Sequence, residues 1–150
     1  MSRGLVTLGI VFILGTFSAA QGATIHVPDN FPSIQDAISA ASNGDTIVVR
    51  PGTYTENINF FGKAIALISE MGPAATVIDG GQAGSVVTFN WYEASDAVIE
   101  GFALTNGKGI NNEGGGILCE DSAPTIRGNL IHNNDGRGID CLPHATPDIT

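Results

Sequence analysis

The stretch Gly116-Ile117-Leu118-Cys119-Glu120-Asp121-Ser122-Ala123-Pro124-Thr125-Ile126-Arg127-Gly128-Asn129-Leu130-Ile131-His132-Asn133-Asn134 decides the fold, because much of it recurs. Gly116-Ile117-Leu118-Cys119 returns as Gly138-Ile139-Asp140-Cys141, an offset of 138 − 116 = 22. Ser122-Ala123-Pro124-Thr125-Ile126 returns as Ala145-Thr146-Pro147-Asp148-Ile149, an offset of 145 − 122 = 23. A fixed period in this range marks a solenoid, in which each repeat buries its apolar face on its neighbours.

Working outward, Ile78-Asp79-Gly80, Ile99-Glu100-Gly101 and Ile126-Arg127-Gly128 align, with spacings of 99 − 78 = 21 and 126 − 99 = 27, and Ile149 follows at 149 − 126 = 23. Leu104-Thr105-Asn106 aligns with Ile131-His132-Asn133 at an offset of 131 − 104 = 27. Gly107-Lys108-Gly109-Ile110-Asn111-Asn112-Glu113 reads as a loop inserted between strands, which accounts for the longer spacing. Short strands separated by Gly and Asn turns suit a coil of three strands stacked in parallel, about 4.8 Å from coil to coil. The chain lacks the Leu-x-x-Leu-x-Leu signature of leucine-rich repeats and the hexads of a left-handed β-helix. The fold expected is all-β, a right-handed parallel β-helix solenoid. Ile78, Ile99, Ile126 and Ile149 are expected in one buried interior stack, with Asp79, Glu100 and Arg127 in one outward column. Asn106 and Asn133 are expected in stacked turns, and Cys119 and Cys141 side by side.

Before the repeats, Ile34, Ala37, Ile38 and Ala41 fall on one face of a helix. Ser33 is its expected N-cap, Asp36 favours the positive end of the dipole, and Asn43-Gly44 supplies the stop. Thr46-Ile47-Val48-Val49, read as a strand, follows at once. A short amphipathic helix there would be a capping α-helix over the first cross-section of the solenoid.

Two stretches resemble the pectin-lyase-like superfamily of right-handed β-helices. Ser33-Ile34-Gln35-Asp36-Ala37-Ile38, followed by Asp45-Thr46-Ile47-Val48-Val49-Arg50-Pro51-Gly52-Thr53-Tyr54-Thr55-Glu56-Asn57-Ile58, is similar to the opening of pectinesterase-like and related bacterial surface proteins. Pro124-Thr125-Ile126-Arg127-Gly128-Asn129-Leu130-Ile131-His132-Asn133-Asn134 is similar to the superfamily's generic coil repeat. The resemblance implies the fold over residues 24–150. It implies no catalytic residue, because the catalytic aspartates and arginine of pectinesterases lie in later coils and no matching motif stands here.

Arg3, an uncharged and mostly apolar run over residues 4–17, and Ser18-Ala19-Ala20 together read as a signal peptide over residues 1–20. The competing reading is a membrane anchor, for which the run is short. Export places the mature chain outside the cell or in the periplasm, with no membrane span after cleavage. Among 150 residues, 6 Lys and Arg face 15 Asp and Glu, a formal net charge of −9. That balance argues against nucleic-acid and anionic-membrane partners, both of which want basic surfaces.

Candidate sites are few. Trp91 and Tyr92, grouped with Phe89, are candidates for sugar contact or for packing under a loop. Cys119 and Cys141 are candidates for a disulfide or for two thiols packed as small hydrophobes. Asp79 and Glu100 in one column would offer Ca²⁺ two carboxylates, short of the six to eight oxygens it takes. Glu120, Asp121 and Asp140 read as a solvated acidic face. His26, His132 and His144 show no ligand spacing, so no cofactor is evident. Two functions follow. One is an extracellular scaffold acting in polysaccharide or surface interaction. The other is a carbohydrate-active enzyme, whether lyase, pectinesterase or glycoside hydrolase, whose catalytic coils lie beyond residue 150. Ile149-Thr150 opens a coil whose earlier copies run for about 20 residues, so continuation is expected, and residues 21–150 alone are expected to self-associate through an open end.

Overall fold

In Thr46-Ile47-Val48-Val49 the second and fourth residues are buried and the other two half-buried, the period-2 signature of a strand with one face inside. The computed structural model describes residues 22–111 and 113–150 and repeats this pattern through a right-handed parallel β-helix of about five turns. The chain opens with β1 (Thr24–Val27) and helix α1 (Ile34–Ala40). Complete coils follow as β2 (Thr46–Val49), β3 (Gly52–Thr55), β4 (Ile58–Asn59); β5 (Ala66–Ser69), β6 (Thr76–Asp79), β7 (Val87–Phe89); β8 (Val98–Glu100), β9 (Ala103–Thr105), β10 (Gly115–Cys119); and β11 (Thr125–Arg127), β12 (Leu130–Ile131), β13 (Arg137–Cys141). β14 (Asp148–Ile149) starts another. The strands stack into sheet A, β1-β2-β5-β8-β11-β14; sheet B, β3-β6-β9-β12; and sheet C, β4-β7-β10-β13.

The principal interior column is Ile25, Ile47, Leu67, Ile99, Ile126 and Ile149, paired residue to residue down sheet A. Ile47, Leu67 and Ile99 are fully buried, each such side chain worth roughly 1.5–3 kcal/mol. Ile149 keeps the register but is 52% exposed, since β14 has a strand on one side only. Ile78 departs from expectation. It is buried, but in sheet B, between Tyr54 and Leu104. Asp79 moves with it, opposite Thr55 and Thr105, whereas Glu100 and Arg127 do pair, at 2.7 Å on the surface. Asn106 and Asn133 occupy stacked turns as expected, with the Asn106 amide donating to the Asn133 carbonyl at 3.2 Å and φ of 54° at both. Asn106 also bridges side chain to side chain, its Nδ2 donating to Asp79 Oδ2 at 2.9 Å, and further asparagines bridge to backbone groups of the neighbouring coil. Asn129 Oδ1 accepts from Phe102 N and its Nδ2 donates to the Ile99 carbonyl; Asn134 does the same for Gly107 N and the Leu104 carbonyl.

α1 covers the open end of this column, burying Ile34, Ala37 and Ile38. Ser33 caps it, its Oγ accepting from Asp36 N at 3.1 Å. The carboxylate of Glu56, from the first complete coil, accepts from Ile34 N and Gln35 N at 2.9 Å each. At the other end Lys63 Nζ donates to the carbonyls of Ile38, Ser39 and Ala41 at 2.8, 2.6 and 2.7 Å. An anion at the N-terminus and a cation at the C-terminus both suit the helix dipole. A helix of this length would not persist alone, so the clamp and its buried face hold it. The helix ends in the extended backbone of Ala41 rather than at Asn43-Gly44, which instead fastens to the next coil through Asn43 Oδ1 and Ala64 N and through Gly44 N and the Ala64 carbonyl. Gln35 closes a second gap. Its amide donates to the Asn59 carbonyl and accepts from Asn59 N, standing in for a strand on the free edge of β4.

Lys63→Met should therefore lower the unfolding free energy by about 1.5–3 kcal/mol, the range for hydrogen bonds to a charged group. Arg127→Ala, which removes an exposed ion pair, should cost about 1 kcal/mol or less. Urea titrations of the two variants give the comparison, and equal losses would show that the helix clamp contributes nothing special.

Candidate functional site

The outward face of sheet C carries the candidate site. Its central column runs Asn59, Thr88, Leu118 and Asp140, set by the pairing of β4, β7, β10 and β13. At the start of these strands the loop over residues 107–113 rises between β9 and β10 as expected. It is tied down by Lys108 N to the Gly84 carbonyl (2.8 Å) and Gly109 N to the Asp135 carbonyl (2.6 Å). Beneath it lies a cavity of about 370 Å³ lined by Ser85, Thr88, Lys108, Ile110, Glu113 and Leu118. The lining thus combines both charge signs with two hydroxyls and apolar groups.

Asp140 fixes the base of this loop and is not part of a solvated acidic face. It is 3% exposed, accepts from Gly114 N at 2.9 Å and pairs with Arg137, while Glu120 and Asp121 are exposed. Burial pushes its carboxyl up, but the Arg137 guanidinium and the Gly114 amide outweigh this and hold it below its ordinary value of 3.8. Asp79 and Glu100 lie in different sheets. Asp79 accepts from Gly81 N and Asn106 Nδ2, and Glu100 from Arg127. The structure does not bring together the carboxylate pair that a calcium site between them would need. No group of three His, Cys, Asp or Glu side chains among the described residues is placed to hold a metal ion.

At the other end of the strands the aromatic residues separate. Phe89 turns inward onto Phe60, ring centroids 4.4 Å apart, and both are fully buried. Trp91 and Tyr92 face solvent at 60% and 80% exposure, joined by Phe61 at 49% on the preceding coil. Phe61 and Tyr92 adopt φ of 53° and 61°, a left-handed conformation that costs a bulky residue about 1–3 kcal/mol and persists only where the surroundings enforce it. The enforcing group is Glu93, 2% exposed, whose Oε1 accepts from Gly62 N and Oε2 from Trp91 N at 2.9 Å each. Asn59 Oδ1 accepts from Phe61 N at 2.7 Å, and Asn59 Nδ2 donates to Asn90 Oδ1 at 2.9 Å. The two turns touch so closely that a Cβ on Gly62 would stand 2.8 Å from the Trp91 carbonyl oxygen. Sequence reading named Trp91 and Tyr92 as candidates but not Phe61 or the tie from Gly62 to Glu93, which spans 31 residues and leaves no local mark.

Cys119 and Cys141 are in-register neighbours on β10 and β13, as expected, and are free thiols, the first buried and the second exposed. Burial, with the neighbouring Cys141 second, pushes the Cys119 thiol up to about 12. Burial raises Cys141 as well.

The architecture defines a parallel β-helix of three parallel sheets. The chain belongs to the family described as "Protein of unknown function (DUF1565)", a parallel β-helix family that matches residues 63–149, more than half of its length. It is also similar to the "Cell surface glycoprotein" of Methanothermus fervidus, 30% identical over 132 residues. Those residues make up 86% of this chain but 20% of the relative, so the chain spans about a fifth of the curated protein it matches. No solved structure matches.

Two outcomes follow from this geometry. Because the folded chain holds the Asp140 proton less tightly than the unfolded chain, its contribution to stability is complete above about pH 4 and is lost as pH falls through the lower folded value. Urea midpoints between pH 2 and 6 should slope less in Asp140→Asn than in the parent, and an unchanged slope would contradict the assignment. Maleimide at neutral pH should modify Cys141 in the folded protein at least about a hundredfold faster than Cys119, which combines burial with a vanishing thiolate fraction. Denatured, unreduced protein that takes up no label would instead reveal a Cys119–Cys141 bridge.

Proposed function

We propose that this protein is exported and works at the cell surface as a non-catalytic β-helix scaffold that meets extracellular polysaccharide through the outer face of sheet C. The observation that carries this reading is the use made of its charged side chains. Glu56 and Lys63 clamp α1; Glu93 ties two turns; Asp140 and Arg137 hold a loop; Glu100 pairs with Arg127 and Asp29 with Arg50. These groups fasten coils instead of converging on a reacting centre. The similarity to a cell surface glycoprotein and the leader-like residues 1–20, which lie outside the described residues, support the location. The chain holds no Asn-x-Ser/Thr triplet, so the word glycoprotein in the relative's name supplies no attachment site here.

The two lysines make a test with an internal control. Lys108 is exposed on the loop, whereas Lys63 is engaged by three carbonyls. A membrane-impermeant amine reagent applied to intact producing cells should label Lys108 well ahead of Lys63. Labelling of Lys108 only after lysis would place the protein inside the cell and end the surface reading.

A further inference from the structure

We propose that Phe61, Trp91 and Tyr92 form a stacking platform for the rings of an uncharged polysaccharide, with Glu93 as the positioning residue that holds the platform in shape; the ligand class rests on the surface reading above.

The three aromatics stand on adjacent turns at the ends of β4 and β7 and are left exposed. Phe60 and Phe89, one and two residues away from the exposed aromatics, are turned inward and paired. The outward rings are instead held out by left-handed backbone at Phe61 and Tyr92 and by a buried carboxylate whose two oxygens bind one amide from each turn. The other non-glycine residues in this conformation among the described residues, Gln82, Asn106, Asn111, Asp121, Asn133 and His144, are all hydrophilic, whereas Phe61 and Tyr92 place large phenyl and phenol rings there. Bulky rings at these positions point to a contact outside the chain.

The chemistry of the patch selects the occupant. Its apolar area is aromatic, which suits the CH-lined faces of sugar rings, and at 49–80% exposure it is an open platform and not an enclosing cage for a cation. The neighbouring turn carries Glu120 and Asp121, both exposed, on a chain of net charge −9, which opposes phosphate, uronate and anionic lipid. Asn90 is exposed beside the rings, and its Oδ1 already accepts from Asn59, which leaves its NH₂ group as the donor for a ring hydroxyl.

Trp91 is the single tryptophan of the chain, so its emission reports directly on the platform. The whole exported chain is titrated with laminarin, mannan and dextran as neutral glycans, polygalacturonate as an anionic one, and tetramethylammonium as a cation. A saturable blue shift with at least one neutral glycan and none with polygalacturonate is expected. Phe61→Ala and Tyr92→Ala should each weaken that binding about tenfold, the loss typical of truncating one of a few aromatic anchors. Glu93→Gln should still melt cooperatively, but with Trp91 emission red-shifted before any sugar is added and with affinity lowered. Emission that ignores all three neutral glycans overturns the proposal, as does a response to tetramethylammonium alone. A blue shift that grows with protein concentration without sugar also overturns it, by showing that a second copy covers the rings. Since Lys108 labelling on intact cells is read separately, a protein that is displayed but does not bind removes the platform and leaves the surface location standing.

Discussion

In a solenoid the inward side chains of one coil can be buried only by the coils directly before and after it. Leu67 is dry because Ile47 lies on one side of it and Ile99 on the other. The first coil has no predecessor of its own kind, so its cross-section must be closed by something that is not a coil. α1 does this, and the first complete coil supplies both charges that keep it in place, Glu56 at its positive end and Lys63 at its negative end. Gln35, on the same helix, closes the backbone edge of β4. Apolar burial and edge protection thus come from one seven-residue element, and each later coil inherits a template whose register is already set.

What stacking leaves free is the length of the turns. Along the sheet A column the coils take 47 − 25 = 22, 67 − 47 = 20, 99 − 67 = 32, 126 − 99 = 27 and 149 − 126 = 23 residues while the strand register stays intact. The extra residues go into turns, where they cost the core nothing. The cavity-forming loop over residues 107–113 is a product of that freedom; the strained turns carrying Phe61, Trp91 and Tyr92 stand at the opposite end of the same sheet, Phe61 in the shortest coil. Variation on this fold is therefore a property of turns, and the buried Glu93 ties two of them together through Gly62 N and Trp91 N.

The same freedom explains which features could be read from the sequence. α1 and its Ser33 cap, the inserted loop, and the pairings of Cys119 with Cys141 and Asn106 with Asn133 were legible, because each rests on a local pattern or on two successive coils of similar length. Ile78 was misassigned for a specific reason. Ile78-Asp79-Gly80 and Ile99-Glu100-Gly101 look alike, but their glycines answer different needs. Gly101 adopts a φ of 80°, whereas Gly80 is required because a Cβ there would meet Gly107 Cα at 2.9 Å. The spacing of 99 − 78 = 21 mimicked a coil when the coil ending at Ile99 spans 32 residues from Leu67. Phe61 and the tie from Gly62 to Glu93 were invisible because nothing near Phe60-Phe61 says which ring turns out, and nothing near Glu93 names Gly62 as its partner.

Cross-strand amide-to-amide contacts measured by NMR on isotope-labelled protein test the in-register stack most directly. Backbone contacts should link Ile99 to Leu67 and to Ile126, and Ile78 to Leu104, with Ile78 and Ile99 unlinked. A backbone contact between Ile78 and Ile99 would put them in one sheet and contradict the coil assignment from which the cap, the loop and the aromatic turns all take their positions.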